Sequence, residues 1–313
     1  MAFITVAVVA LSALVFVSTA AFAQTTGVTL ATATPGGGFP LFGDAAAAVI
    51  NDTDPTLSVT TANTKGSTEN IELLEQGKVD IGLIAGVPAY EAFAGIGRLP
   101  TNLKIISAIY SSPGMFVVKA DSPARAVADL KGKPIAWGTP SSGLTLMARY
   151  AMDGLNLVWN KDFAPRLLEK AGDGPALVLG GEVAALWGGG IGWPGFTQVM
   201  RDGGRFIGFT PDDVRRITAK HNFLKPMTVQ AGSYEGQTEP VQSVGSWSFI
   251  LSRPDLPDDV AYRLARALHR GKDALAGRLD QARETTPKNT KAAAAEERHI
   301  HPGVQAYLRE IGL

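Results

Sequence analysis

The sequence has no cysteine in its 313 residues, which excludes disulfides, thiolate nucleophiles and cysteine-ligated metals together. It also lacks a charge bias. Lys plus Arg and Asp plus Glu number 29 each, so no global field draws the chain to nucleic acid or to an anionic membrane. No Gly-x-Ser-x-Gly, Gly-x-x-x-x-Gly-Lys-Ser/Thr or His-Glu-x-x-His segment occurs, and the familiar nucleophile, phosphate-loop and zinc patterns go with them. No catalytic residue, cofactor or metal is therefore expected. His299 and His301 stand close together beside Pro302, with no carboxylate or cysteine at metal-ligand spacing, and both are expected at the surface.

Acidic and basic residues are missing altogether from Met1 to Gly43. An apolar run from Phe3 to Val17 leads into Ser-Thr-Ala-Ala-Phe-Ala before Gln24, with Ala21 and Ala23 in the Ala-x-Ala pattern of a signal-peptide cleavage site. Residues 1–23 are thus expected to be an export signal cleaved near Ala23, which sends the protein to the periplasm. A permanent membrane anchor is the weaker alternative, because a spanning helix needs about 20 apolar residues. Without a cysteine to carry lipid, the mature chain is expected to be soluble and monomeric.

What is present is glycine, 35 residues of it, clustered in loops beside strand-like runs where backbone approaches backbone or ligand. The chain alternates strand, polar loop and helix. Gly27 to Ala33, Leu57 to Ala62 and Val79 to Ala85 are strand-like, and helices are expected over Leu41 to Ile50 and from Ser67 to Gly77. Ile105 to Tyr110 and Met115 to Lys119 read as two strands separated by Ser-Ser-Pro-Gly. Further strands are expected at Pro134 to Trp137, Glu182 to Trp187, Arg205 to Phe209 and Val241 to Ser252. Helices are expected at Leu144 to Gly154, at Pro211 to Ala219 with Thr210 as cap, and as one amphipathic stretch at Pro257 to Ala276. This alternation predicts an α/β fold with mostly parallel sheets. The exported part, about 290 residues, is long enough for two lobes.

Three loops carry the candidate chemistry: Thr34 to Phe39, Thr64 to Thr68 and Thr139 to Thr145. Each places Gly and Ser or Thr before a predicted helix, where unpaired amides, hydroxyls and the positive end of the helix dipole suit an anion. Taken singly, each also reads as an ordinary N-cap or tight turn. Lys65 lies inside the second loop. Gly190, Gly192 and Gly195 form a literal Gly-x-Gly-x-x-Gly, but Trp193-Pro194 precedes the third glycine and no acidic partner follows on a strand, so a nucleotide is not expected there. A loop lining a cleft, with Trp193 as its apolar wall, is the preferred reading.

The run Ala33-Thr34-Pro35-Gly36-Gly37-Gly38-Phe39-Pro40-Leu41-Phe42-Gly43, the run Lys65-Gly66-Ser67-Thr68-Glu69-Asn70-Ile71-Glu72-Leu73-Leu74 with Gly77-Lys78-Val79-Asp80, and the segment Asp129 to Pro134 together resemble the TAXI family. Tyr234 to Pro240, Val244-Gly245-Ser246-Trp247 and His301-Pro302-Gly303 resemble later segments of that family. Its members are the solute receptors of tripartite ATP-independent periplasmic (TRAP) transporters. The resemblance implies a two-lobed fold of the periplasmic-binding-protein type II class, each lobe a mostly parallel sheet flanked by helices and the lobes joined by two crossing strands. It also implies a non-enzymatic receptor that closes over a small organic acid, such as glutamate, and hands it to a membrane permease.

Carried onto this sequence, the expected ligand-binding residues are Thr34, Gly37, Gly38 and Phe39 from the first loop, with Lys65, Ser67 and Thr68 from the second. The third loop adds Thr139, Ser141, Ser142 and Gly143, and Trp193 completes the set. Phe39 stands where the family commonly has Tyr, and Lys65 where it usually has Gly. Lobe 1 is expected over 24–110 and 251–313, and lobe 2 over 111–250. A periplasmic enzyme or transferase of the same fold, or a ligand-sensing subunit of a signalling system, are the alternatives.

Overall fold

The structure is a computed structural model that describes residues 25–313; the expected export signal and its cleavage point lie outside the described residues. Ten strands form one mixed sheet. In chain order they are β1 (Thr26–Ala31), β2 (Leu57–Ala62), β3 (Ile81–Ile84), β4 (Lys104–Val118), β5 (Pro134–Gly138), β6 (Ala164–Leu167), β7 (Ala185–Gly189), β8 (Arg205–Ile207), β9 (Lys225–Val229) and β10 (Val241–Ser252). Their spatial order is β2-β1-β3-β10-β4-β7-β5-β6, with β8 on β4 and β9 on β10. The pairs β1–β2, β1–β3, β5–β6 and β5–β7 are parallel, whereas β4 and β10 pair antiparallel with each other and with all their other neighbours.

Each end of the sheet has its own core. At the first end, α1 (Gly38–Thr53) buries Phe42, Ala46, Val49 and Ile50 against Leu30, Leu83 and Ile109. The second end is filled by Phe116, Trp137 and Trp187, which meet edge-on or tilted at centroid distances of 4.8 to 6.2 Å. Burial of aromatic rings this large dominates a local core. The remaining helices α2 (Ser67–Glu75), α3 (Gly86–Ala94), α4 (Gly143–Gly154), α5 (Gly174–Leu179), α6 (Pro194–Arg201), α7 (Pro211–Lys220) and α8 (Asp258–Arg270) flank the sheet, with α9 (Lys272–Arg278), α10 (Pro287–Ala293) and α11 (Pro302–Glu310) toward the C-terminus. Among the described residues, no helix is long and apolar enough to cross a membrane.

Several expectations need correction. The two strands expected around Ser-Ser-Pro-Gly are one continuous strand, β4, which with β10 runs through both ends of the sheet. Pro113 stands opposite Gly245 in regular register, and the β4–β10 register slips farther along, between Trp247 and Phe249. The helix expected over Pro257 to Ala276 breaks at Gly271 into α8 and α9. His301 is not at the surface. It is 1% exposed and caps α11, accepting from the Gly303 amide at 3.2 Å through Nδ1 while Nε2 meets the Leu256 carbonyl at 2.9 Å.

Candidate functional site

A cavity of about 90 Å³ lies where the two ends of the sheet face each other. That is several times the roughly 10–15 Å³ one water requires. Three helix starts open onto it, one from each candidate loop.

The first is the start of α1. Gly37 is its N-cap with extended backbone and no side-chain cap, so the first-turn amides, which have no intrahelical acceptor, face the loop side unpaired by any side chain. Thr34, Gly37, Gly38 and Phe39 all line the cavity. The second is the start of α2, capped by Gly66 rather than by Ser67. Ser67 and Asn70 make tertiary bonds instead of capping the helix. The Ser67 hydroxyl accepts from the Ala85 amide at 3.0 Å, and the Asn70 amide donates to the Thr32 and Leu83 carbonyls at 2.8 and 2.9 Å. The third is the start of α4, where the Ser142 hydroxyl accepts from the Leu144 amide at 3.2 Å in an N-cap.

Lys65, Ser67, Thr139, Ser142, Gly143 and Trp193 also line the cavity, and Thr68 and Ser141 do not. Those two residues meet each other instead, the Thr68 amide donating to the Ser141 carbonyl at 3.3 Å. Similar contacts surround the cavity. The Trp193 indole donates to the Gly36 carbonyl at 3.0 Å, the Ala171 amide to the Thr34 hydroxyl at 3.1 Å, and the Gly172 amide to the Pro35 carbonyl at 3.3 Å. Farther out, Tyr150 donates to Glu91 at 2.6 Å and Tyr90 stacks on Phe223 at 4.2 Å. Elements of the first end thus touch elements of the second on several sides, and the cavity lies between them, open to solvent where Lys65 is exposed.

The sequence reading missed the floor and much of the wall. Tyr110, Ser112 and Ser248 come from the two through-running strands, while Trp137, Trp187, Gly188 and Gly189 come from β5 and β7. The Ser112 and Ser248 hydroxyls are 3.0 Å apart. Tyr110 is buried, with Phe39 and Phe42 edge-on to its ring at 6.5 and 5.4 Å. Its hydroxyl makes no hydrogen bond with the described residues, and burial pushes its pKa above the ordinary phenol value, so it stays a donor. The signal for these residues was available only as a buried Tyr and Ser in otherwise apolar strands.

Of the Gly-x-Gly-x-x-Gly run, neither Gly190 nor Gly192 lines the cavity. Tyr234 pins that loop, donating to the Gly190 carbonyl and accepting from the Gly192 amide, both at 2.9 Å. No group of three or more potential metal-ligating side chains occurs among the described residues.

A model of the NMT1-like family matches residues 30–312. Among solved structures, the chain is similar to the periplasmic aliphatic sulphonate binding protein SsuA from Escherichia coli, at 17% identity over 91% of this chain and 83% of that one, with a TM-score of 0.52. It is similar to a TctC solute binding protein from Polaromonas, at 15% identity over 92% and 98% of the two chains, TM-score 0.50. An ancestral arginine-binding protein bound to arginine matches at 13% identity over 83% and 99%, TM-score 0.51. At these identities the likeness shows a shared fold, the α/β fold of periplasmic binding proteins.

Proposed function

The chain belongs to the NMT1-like family, and from that premise we propose that it is an extracytoplasmic solute receptor. It captures a small organic anion between two lobes and delivers it to a membrane permease of the TRAP type, as the TAXI-like motifs imply. In this reading the first lobe comprises residues 24–110 and 251–313, the second residues 111–250, and the cleaved protein works in the periplasm. It performs no chemistry on its ligand.

The observation that carries the reading is the cavity between the two ends of the sheet, with helix starts from α1 and α2 on one side and α4 on the other. Such termini bind anions through backbone amides and the helix dipole. Contacts available only when the lobes meet make capture a shift between an open and a closed population. A receptor so built is stabilised by its solute by about 2.7 kcal/mol at a hundredfold excess over Kd. The test is a thermal-shift screen of organic acids on the purified protein, followed by calorimetry. A rise in Tm with one or more acids, lost in Ser142→Ala or Gly38→Val, is expected. If no organic acid raises Tm, the organic-anion receptor reading fails.

A further inference from the structure

The charge in the cavity wall is one-sided. Among the described residues that line it there is no Asp or Glu, and Lys65 is the only Lys or Arg. Residues 1–24 contain no acidic side chain that could be added to the wall. Of the carboxylates nearest along the chain to lining residues, Glu69 accepts from the Lys65 amide at 2.5 Å and Asp173 from the Lys170 amide at 3.1 Å, while Glu169, next to Leu168, is exposed. None of them is in the wall, nor is Glu284, which takes the Ser111 amide and hydroxyl at 2.6 and 3.1 Å. A ligand ammonium enclosed here would lose its water and gain no counter-charge. Proteins avoid that state because an unpaired buried ion has nothing to replace its hydration.

An anionic head meets the opposite situation. Lys65 forms no ion pair among the described residues, and the first-turn amides of α1 are adjacent. The Tyr110 hydroxyl is an unused donor in the wall. Of the two hydroxyl hydrogens of Ser112 and Ser248, their mutual bond uses one and leaves one free. The rest of the wall is uncharged: the hydroxyls of Thr34, Ser67, Thr139 and Ser142 already take part in protein hydrogen bonds, and Phe39, Trp187, Trp193, Leu144 and Leu168 make most of the remainder apolar.

We infer that the cavity selects small organic acids with an apolar or aromatic body and no ammonium group, and that it rejects free amino acids, glutamate included. This narrows the ligand class and rests on the receptor reading given above.

The test compares matched pairs on the purified protein by calorimetry and thermal shift: 3-phenylpropanoate with phenylalanine, 4-methylpentanoate with leucine, and 2-oxoglutarate with glutamate. At least one acid lacking the ammonium is expected to bind, about a hundredfold or more tighter than its amino-acid partner, while 2-oxoglutarate, with its second carboxylate, trails the apolar acids. Amino acids that bind as tightly as their partners would overturn the inference and leave the receptor reading standing. If no member of any pair binds, the organic-anion receptor reading falls and takes the inference with it. Tyr110→Phe keeps the ring and Lys65→Gln alters an exposed residue, so neither threatens folding. Each is expected to weaken the bound acid about tenfold, the usual loss of a hydrogen bond or ion pair to a charged group. Unchanged affinity in both variants would place the acid elsewhere and overturn the assignment of this wall.

Discussion

Gly36 shows how much of the site depends on one residue. Its φ is +80°, and a Cβ added there would stand 2.5 Å from the Gly172 Cα. A side chain therefore suffers twice, through the left-handed backbone, at about 1–2 kcal/mol, and through collision with a segment contributed by the other end of the sheet. Only the first penalty applies when the two ends are apart. Gly36→Ala is accordingly expected to cut ligand affinity by tenfold or more while lowering the Tm of the ligand-free protein by only a few degrees. Calorimetry beside a melting curve checks this, and equal affinity for variant and parent would show that Gly36 and Gly172 need not meet on binding. Gly36 was legible only as part of the Thr34 to Phe39 loop, one of three that gather Gly, Ser and Thr before a helix, since each such loop taken singly also reads as an N-cap or tight turn. Tyr110, Ser112 and Ser248 were not legible. They sit in β4 and β10, where nearly every residue is buried, so no alternation separates a side chain facing the cavity from one facing the core.

At the scale of elements, α11 carries a titratable cap. Burial lowers the His301 pKa below the usual imidazole value, against the Leu256 carbonyl and Asp258, which favour the charged form. Its geometry needs the neutral ring, because Nδ1 accepts from Gly303 and a protonated ring cannot. The unfolded chain binds this proton near pH 6.5 and the native chain only at lower pH, so the unfolded state holds more protons in between. Stability from this cap is therefore complete above about pH 6.5 and is lost as pH falls toward the native pKa. His269 and His299 are also shifted down, with burial the largest cause, and act with the same sign. The measurement is thus a difference. His301→Asn, which retains a capping side chain, is expected to melt lower at pH 7.5 and to show a shallower fall in Tm between pH 7 and 5 than the parent. Parallel curves would mean that His301 does not titrate with unfolding. Elements with strong periodicity or caps, such as α7 with Thr210 accepting from the Asp213 amide at 3.1 Å, were legible in advance. The strands β6 and β9 were not, since all four residues of β6 are exposed and most of β9 is too, leaving no buried face to recognise. The helix α3 was masked by the glycine and proline in its first turn.

For the whole molecule, the question is what holds the enclosed arrangement. The ties among Trp193 and Gly36, Ala171 and Thr34, and Gly172 and Pro35 join loops rather than cores, and each is a neutral hydrogen bond of about 1 kcal/mol net. Together they compare with the few kcal/mol that typically separate two conformations, so in the proposed receptor ligand contacts would tip the balance toward closure. The strands β4 and β10 pass between the ends and slip register at Trp247 to Phe249, so in the proposed receptor any rotation of one end against the other would bend them. Trp193→Phe keeps an aromatic wall but removes the indole N–H that reaches Gly36. Losing that donor leaves the Gly36 carbonyl unpaired only in the enclosed state, so the penalty falls on closure and spares each end's own core. Small-angle scattering should show a larger radius of gyration for ligand-free Trp193→Phe than for the parent, with the two converging when ligand is saturating, and calorimetry a five- to tenfold weaker affinity, roughly the value of one lost hydrogen bond. Scattering curves that coincide without ligand, together with unchanged affinity, would mean that this tie does not contribute to closure.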